Sequence, residues 1–233
     1  MKSYLIVGAL LLIIVALLAT NKKLVETVKN IFKIEDLRKR LIYTCLLILV
    51  YRLGCYVVIP GIDPNLLGEG SALANQMDSN GLLGLLNVFS GGAFANAAIF
   101  ALGVMPYITA SIIIQLLGMM VPAVQKMMKE GESGRRKMNQ WTRLLTIGVL
   151  ALQGPAYVAN LYHQMPEAFV YGNAFIFTVY ATIILIAGTM FVVWLGEKIT
   201  DKGIGNGVSL IIMIGIVARL PHALLAELSA RLN

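Results

Sequence analysis

Charge is scarce in this chain. Of 233 residues, 19 are Lys or Arg and 12 are Asp or Glu, together 13%, roughly half the share of a soluble domain. An ordinary water-soluble globule is excluded on that ground alone. Histidine and cysteine are scarcer still, with His163 and His222, Cys45 and Cys55. No His/Glu or Cys/His pair stands at metal-ligand spacing, so no metal site is expected. Nucleophilic catalysis also lacks material. Ser133 in Gly131-Glu-Ser-Gly134 sits among charged neighbours with no histidine on its predicted side of the membrane, so it has no base. Gly203-Ile-Gly-Asn-Gly207 is followed by no Gly-Lys-Ser/Thr, and reads as a tight turn rather than a phosphate cradle. The two cysteines, ten residues apart, are too distant to pair within a straight helix and read as lipid-facing or packed thiols. No catalytic residue, cofactor or enzymatic activity is expected.

What the chain has in abundance is apolar surface, 58% of residues. Uncharged runs extend from Ser79 to Gln125 and from Ala168 to Gly196, both longer than the roughly 20 residues of one membrane span. Apolar windows fall at Tyr4 to Thr20, Leu41 to Ile59, Ala97 to Met119, Trp141 to Leu161, Phe175 to Gly196 and Val208 to Leu225. The basic residues then set orientation. Seven lie in residues 20–40, six in 120–143 and two in 197–202, so 15 of 19 share one predicted side, while 60–80 and 162–172 hold none. By the positive-inside rule the basic loops are cytoplasmic. This explains the net charge of +7 without nucleic acid.

The same rule limits the first uncharged run. Two full spans between Ser79 and Gln125 would carry the basic cluster from Lys126 to Arg143 to the outer side. One span preceded by a segment that enters without crossing, Gly81 to Phe89, keeps it inside. Non-crossing backbone at membrane depth needs protein or a water-filled cavity around it, which points to a pore or transport path; the alternative is a loop helix lying on the outer surface. Tyr4 to Ala19 holds eleven Leu, Ile or Val residues, worth about −5 kcal/mol of insertion, and reads as an uncleaved anchor. Arg52 costs about 3 kcal/mol within its span and should face protein or water. Asn87, Gln115 and Asn206 are read as hydrogen-bonding glue. In Gly103-Val-Met-Pro106 the proline is expected to kink a span, with Val104 and Ile108 on one face beside it.

Several stretches carry a family resemblance: Pro60-Gly-Ile-Asp63, Asn87-Val-Phe-Ser-Gly-Gly92, Ile99 to Gln115, Lys129 to Lys137, Gly188 to Phe191, Trp194 to Glu197 and Gly203 to Ser209. In order and spacing, from Val28 to Leu225, they resemble the SecY family, channel subunits of the bacterial Sec translocase. The resemblance implies an all-α membrane protein, a SecY-type helical bundle. It would form one inverted-repeat half with about five family transmembrane helices, a re-entrant plug helix and an extra N-terminal apolar helix. Residues 1–20 would be an extra N-terminal apolar anchor or signal-like segment, 21–40 a cytoplasmic amphipathic basic linker, 41–225 the N-terminal half-channel, and 226–233 a hinge or truncated tail.

By position the resemblance assigns Val104, Ile108 and Ile212 to an aliphatic pore ring. The plug falls on Gly81, Leu82, Leu83, Gly84, Leu85, Leu86, Asn87, Val88 and Phe89, the lateral gate on Thr109 and Gln115. Lys129, Arg135, Arg136 and Lys137 fall on the cytoplasmic docking face. The implied function is a protein-conducting channel passing unfolded secretory polypeptides across, and apolar segments laterally into, the bacterial inner membrane. The implied partners are SecE and SecG, the SecA motor ATPase, the ribosome, secretory preproteins, membrane lipids and a complementary C-terminal SecY half. Nucleic acid would be met only through the ribosome. An alternative is a non-conducting membrane assembly or regulatory subunit with the same half-fold. A small-solute transporter is disfavoured because no charge clusters at the midplane.

Overall fold

The structure, a computed structural model, describes residues 33–67, 81–169 and 174–232. The anchor at Tyr4 to Thr20 and most of the basic linker therefore lie outside the described residues. Among the described residues seven α-helices follow in order: α1 (Glu35–Gly54), α2 (Gly81–Phe89), α3 (Met105–Met120), α4 (Pro122–Lys129), α5 (Glu132–Gln164), α6 (Ala174–Lys202) and α7 (Gly207–Leu232). Among the described residues there is no strand, only isolated bridges between Val58 and Ala98 and between Ile62 and Phe169. Helices α5 and α6 are long and apolar enough to cross a membrane, and α3 and the Gly207–Pro221 part of α7 are shorter apolar helices.

Helix α6 is the hub, packed against α1, α5 and α7, while α3 and α4 lie on α5 and α2 lies on α7. Its sequence explains why. From Phe175 to Gly196 it carries no charge, and buried residues such as Phe177, Leu185, Val192 and Ile199 are distributed along its whole length, as a helix apolar all round requires. Gly188 lets it approach other backbone. A Cβ there would stand 2.2 Å from the Ile99 carbonyl oxygen, so only glycine fits. Two apolar clusters flank the hub, one around Ile59, Phe94, Tyr157 and Leu185, the other around Tyr51, Phe100, Val192 and Ile211, and Ile99 packs on both.

Three expectations need correction. Pro106 kinks nothing, because it occupies the first turn of α3, where its missing N–H would have no partner in any case; residues 97–104 are turns, not the start of a span. The basic stretch 120–143 is not a loop. Its Lys, Arg and Glu residues are good helix formers, and they build α4 and the first turns of α5, where Glu132 pairs with Arg136 at i,i+4. At 33 residues α5 is about 50 Å long, more than a bilayer's roughly 30 Å, so its charged end projects. Likewise Arg38 to Arg40, assigned to a separate linker, continue into the span as α1.

The turn at Gly203 to Gly207 is as expected. Gly205 has φ +70°, and the Asn206 side-chain oxygen accepts from the amides of Val208 and Ser209 at 3.1 and 3.3 Å, capping α7. Cys45 is exposed and Cys55 is buried, both as free thiols.

Candidate functional site

The site is built around non-helical backbone between α2 and α3. Residues 90–104 run as successive turns, and such backbone in an apolar setting must find its hydrogen bonds locally. Asn87 and Ser90 supply several. The buried Asn87 side-chain oxygen accepts from the Ala95 amide at 3.1 Å. The Ser90 hydroxyl donates to the Asn87 carbonyl and accepts from the Phe94 amide, both at 3.1 Å. Other helices donate to three carbonyls of the segment, two of which also accept local amides, Ser90 from Ala93 at 3.3 Å and Phe94 from Ala97 at 3.4 Å. Tyr51 of α1 donates to Ser90 at 3.4 Å, Arg52 to Gly91 at 3.1 Å, and Tyr157 of α5 to Phe94 at 2.9 Å. Further on, Ile99 donates to Val57 and Ile59 to Ala97, each at 2.9 Å. Arg52 thus meets protein carbonyl, and Asn87 ties a turn segment rather than two helices.

Helix α2 precedes this segment over the span Gly81–Phe89 in which a non-crossing helix is expected. Nine residues make about 13 Å, less than half a bilayer's apolar thickness. Leu86 packs on the first apolar cluster. At its C-terminal end α2 meets α7, where a Cβ on Gly215 would be 3.0 Å from the Phe89 carbonyl oxygen. Gly215 stands one turn from Ile212. The side chains of Leu82 and Leu83 lie outside the described residues.

The three residues assigned to the pore ring differ in exposure. Val104 immediately precedes α3 and is only 4% exposed, inside the cluster with Ile211. Ile212 packs on the edge of that cluster, and Ile108 is half-buried outside both clusters. Thr109 and Gln115 are six residues apart and stand about 120° apart around a helix. Thr109 lines a cavity of about 300 Å³ between α3 and α5 with Leu86, Met105, Gln153 and Asn160. Gln115 is exposed elsewhere and donates to the Ser111 hydroxyl at 3.2 Å. The structure does not bring the pair together.

On the basic side, Lys129 ends α4, Arg136 pairs with Glu132 at 2.8 Å, and Lys137 lies 3.9 Å from Glu130. The Arg135 side chain lies outside the described residues. Nearby, the Arg143 guanidinium meets the Glu197 carboxylate with both Nε and Nη2, tying α5 to α6.

Sequence reasoning missed Tyr51, Tyr157, Gly188 and Arg219. A tyrosine within an apolar span carries a polar tip that needs a partner, and a glycine inside a helical pattern marks close approach. Those signals were present. The partners they find come from elements far away in the chain.

No metal-ligating group of three or more His, Cys, Asp or Glu occurs among the described residues. Comparison with known proteins gives one consistent family. The SecY family model matches residues 98–232. Protein translocase subunit SecY of Streptomyces scabiei is 46% identical over 201 residues, covering 83% of this chain and 45% of the relative. The subunit of the same name in Thermotoga maritima is 43% identical over 198 residues, covering 84% and 46%. That of Buchnera aphidicola subsp. Acyrthosiphon kondoi is 46% identical over 190 residues, covering 81% and 52%. The chain spans about half the length of these relatives.

Among solved structures, canine Sec61 in a ribosome–channel complex from the endoplasmic reticulum aligns with a TM-score of 0.51 at 18% identity, over 77% of this chain and 36% of that one. A protein-conducting channel aligns with a TM-score of 0.51 at 19% identity, over the same shares. The fold is that of SecY-type channels. With the family model matching 135 of 233 residues, from 98 to 232, and the helical fold in agreement, the chain belongs to the SecY family.

Proposed function

We propose that this chain is one half of a protein-conducting channel, which with a complementary half passes unfolded polypeptides across, and apolar segments laterally into, the bacterial inner membrane. The observation that carries this reading is the seating of α2. A helix too short to cross lies against α7 one turn from Ile212, where an outer plug beside an apolar constriction would sit. Ile108 and Ile212 offer the partly exposed aliphatic surface of the ring, and the buried Val104 backs it. Such a ring seals by dewetting and holds no particular sequence tightly, so one surface serves both closure and promiscuous passage. Thr109, in its cavity beside α2 and α5, would contribute to the lateral gate, with Gln115 further along α3.

Lys129, Arg136 and Lys137, with Arg135, would face a motor ATPase such as SecA or the ribosome. SecE and SecG would complete the membrane complex, and secretory preproteins would be its cargo.

The test is photocrosslinking in native membranes. A crosslinker at Ile108 should capture a stalled secretory precursor, as should one at Ile212, whereas Leu152, an exposed residue of α5, should not. Absence of any crosslink from properly inserted chain would overturn the channel reading in favour of a non-conducting subunit.

A further inference from the structure

Two of the four basic residues outside the predicted cytoplasmic loops are Arg52 and Arg219. They come from opposite ends of the described chain, the last turn of α1 and the body of α7, and the fold brings them to one cleft. The means is a pair of adjacent glycines. Gly91 and Gly92 have φ of +65° and +93°, and neither carries a Cβ that would block an arginine. A Cβ on Gly91 would stand 2.9 Å from Arg52 Nη1, and one on Gly92 would stand 3.2 Å from Arg219 Nε and Nη2. Both guanidiniums therefore lie against the same short piece of backbone.

The cleft holds about 420 Å³ and is lined by Arg52, Tyr56, Gly91, Gly92, Asn96 and Arg219, among others. Among the described residues none that lines it is an acid, and neither arginine joins an ion pair. Arg52 is partly compensated. It donates to the Gly91 carbonyl at 3.1 Å, lies 5.8 Å from the Tyr56 ring centroid and ends a helix, where a cation is favoured. Among the described residues Arg219 shows no such compensation. Two cations held at one cleft repel each other, and their forked donors match the tetrahedral oxygens of a phosphate. Asn96 adds an amide, and Tyr56, Val58 and Leu67 add apolar wall.

We infer that this cleft, on the predicted outer side of the membrane, is a binding site for a phosphate-bearing anion. The phosphate would come from the headgroup of an anionic phospholipid or from free solution.

The full chain, purified in detergent, would be mixed with phosphatidylglycerol, with phosphatidylcholine, or with inorganic phosphate. Bound ligand would be counted by native mass spectrometry. The expected result is one phosphatidylglycerol retained per chain. Retention should fall by about tenfold in Arg219→Gln, the loss expected for a charge-assisted contact, and only slightly in Arg219→Lys. Arg52→Gln should act in the same direction, but it also strips the Gly91 carbonyl of a donor. Arg219→Gln with an unchanged melting temperature is therefore the deciding variant. Displacement by millimolar phosphate, with phosphate bound alone, would identify a free-anion site; retention that phosphate cannot displace would identify a lipid site. Equal retention in parent and variants, or no retention of either ligand, overturns the inference.

Discussion

Replacing Gly188 by alanine should destabilise this protein even though alanine is the better helix former. Position 188 lies inside α6, so helix propensity alone favours the change by about 1 kcal/mol. The geometry opposes it. The new Cβ would stand 2.2 Å from the Ile99 carbonyl oxygen, where ordinary contact begins at 3.4 Å, so helix or turn must retreat by about 1.2 Å. The obstacle is backbone, and that backbone is held by the bond from the Ile99 amide to Val57 at 2.9 Å. Overpacking of this kind costs about 1–3 kcal/mol, and a rigid obstacle places the cost at the upper end. The net loss is then about 2 kcal/mol. Gly148 on α5 supplies the control, because a Cβ there meets nothing within 4 Å, and Gly148→Ala should gain up to about 1 kcal/mol. Reversible unfolding of the full chain by SDS in mixed micelles would compare the two. If Gly188→Ala proved as stable as Gly148→Ala, α6 would not abut the turn at Ile99 and the hub would be wrongly placed.

The same unfolding assay tests three smaller claims. Tyr157→Phe removes the 2.9 Å donor to the Phe94 carbonyl, leaves it only the Ala97 amide at 3.4 Å, and should cost about 1 kcal/mol; no loss would mean that the Ala97 amide or water serves that carbonyl fully. Asn206→Ala removes the oxygen that accepts from the Val208 and Ser209 amides and should cost about 1 kcal/mol, with Asn206→Asp retaining most of the stability. Arg143→Lys keeps the charge but loses the two-pronged contact with Glu197. Because that pair is partly exposed, the loss should stay under about 1 kcal/mol, and a double-mutant cycle with Glu197→Gln should assign it to the pair.

The helices were legible because their signals are periodic or continuous. The uncharged run from Ala168 to Gly196 yields α6, and the charge count that forbade a second crossing isolated Gly81 to Phe89, which is α2. Where helices begin was less legible. Hydropathy treats Ala97 to Val104 as more span, being blind to whether a backbone amide has a partner one turn away. The same blindness hid the charged first turns of α5, whose helicity comes from propensity and ion pairing rather than from apolarity. For the site, residue types and order were readable in Val104, Ile108 and Ile212. Their exposure was not, since burial of Val104 depends on Tyr51, Val192 and Ile211, which lie far apart in sequence. The cleft of Arg52 and Arg219 was unreadable for the same reason, with 166 intervening residues between 52 and 219.

The bond from Tyr157 to the Phe94 carbonyl also sets a timetable for biosynthesis. A chain emerging from its amino end presents Phe94 long before Tyr157, so one partner waits for the other across 63 residues. Until then the Phe94 carbonyl has only the long bond from the Ala97 amide at 3.4 Å, and a poorly served carbonyl is disfavoured in hydrocarbon. Residues 90–104 are therefore less stable at membrane depth when they first arrive than once α5 is in place. Their final seating waits for α5, so an early segment is captured by a late helix rather than stacked in order of synthesis. A nascent chain arrested before residue 157 should leave its 90–104 stretch open to protease, and one arrested after α5 is inserted should not.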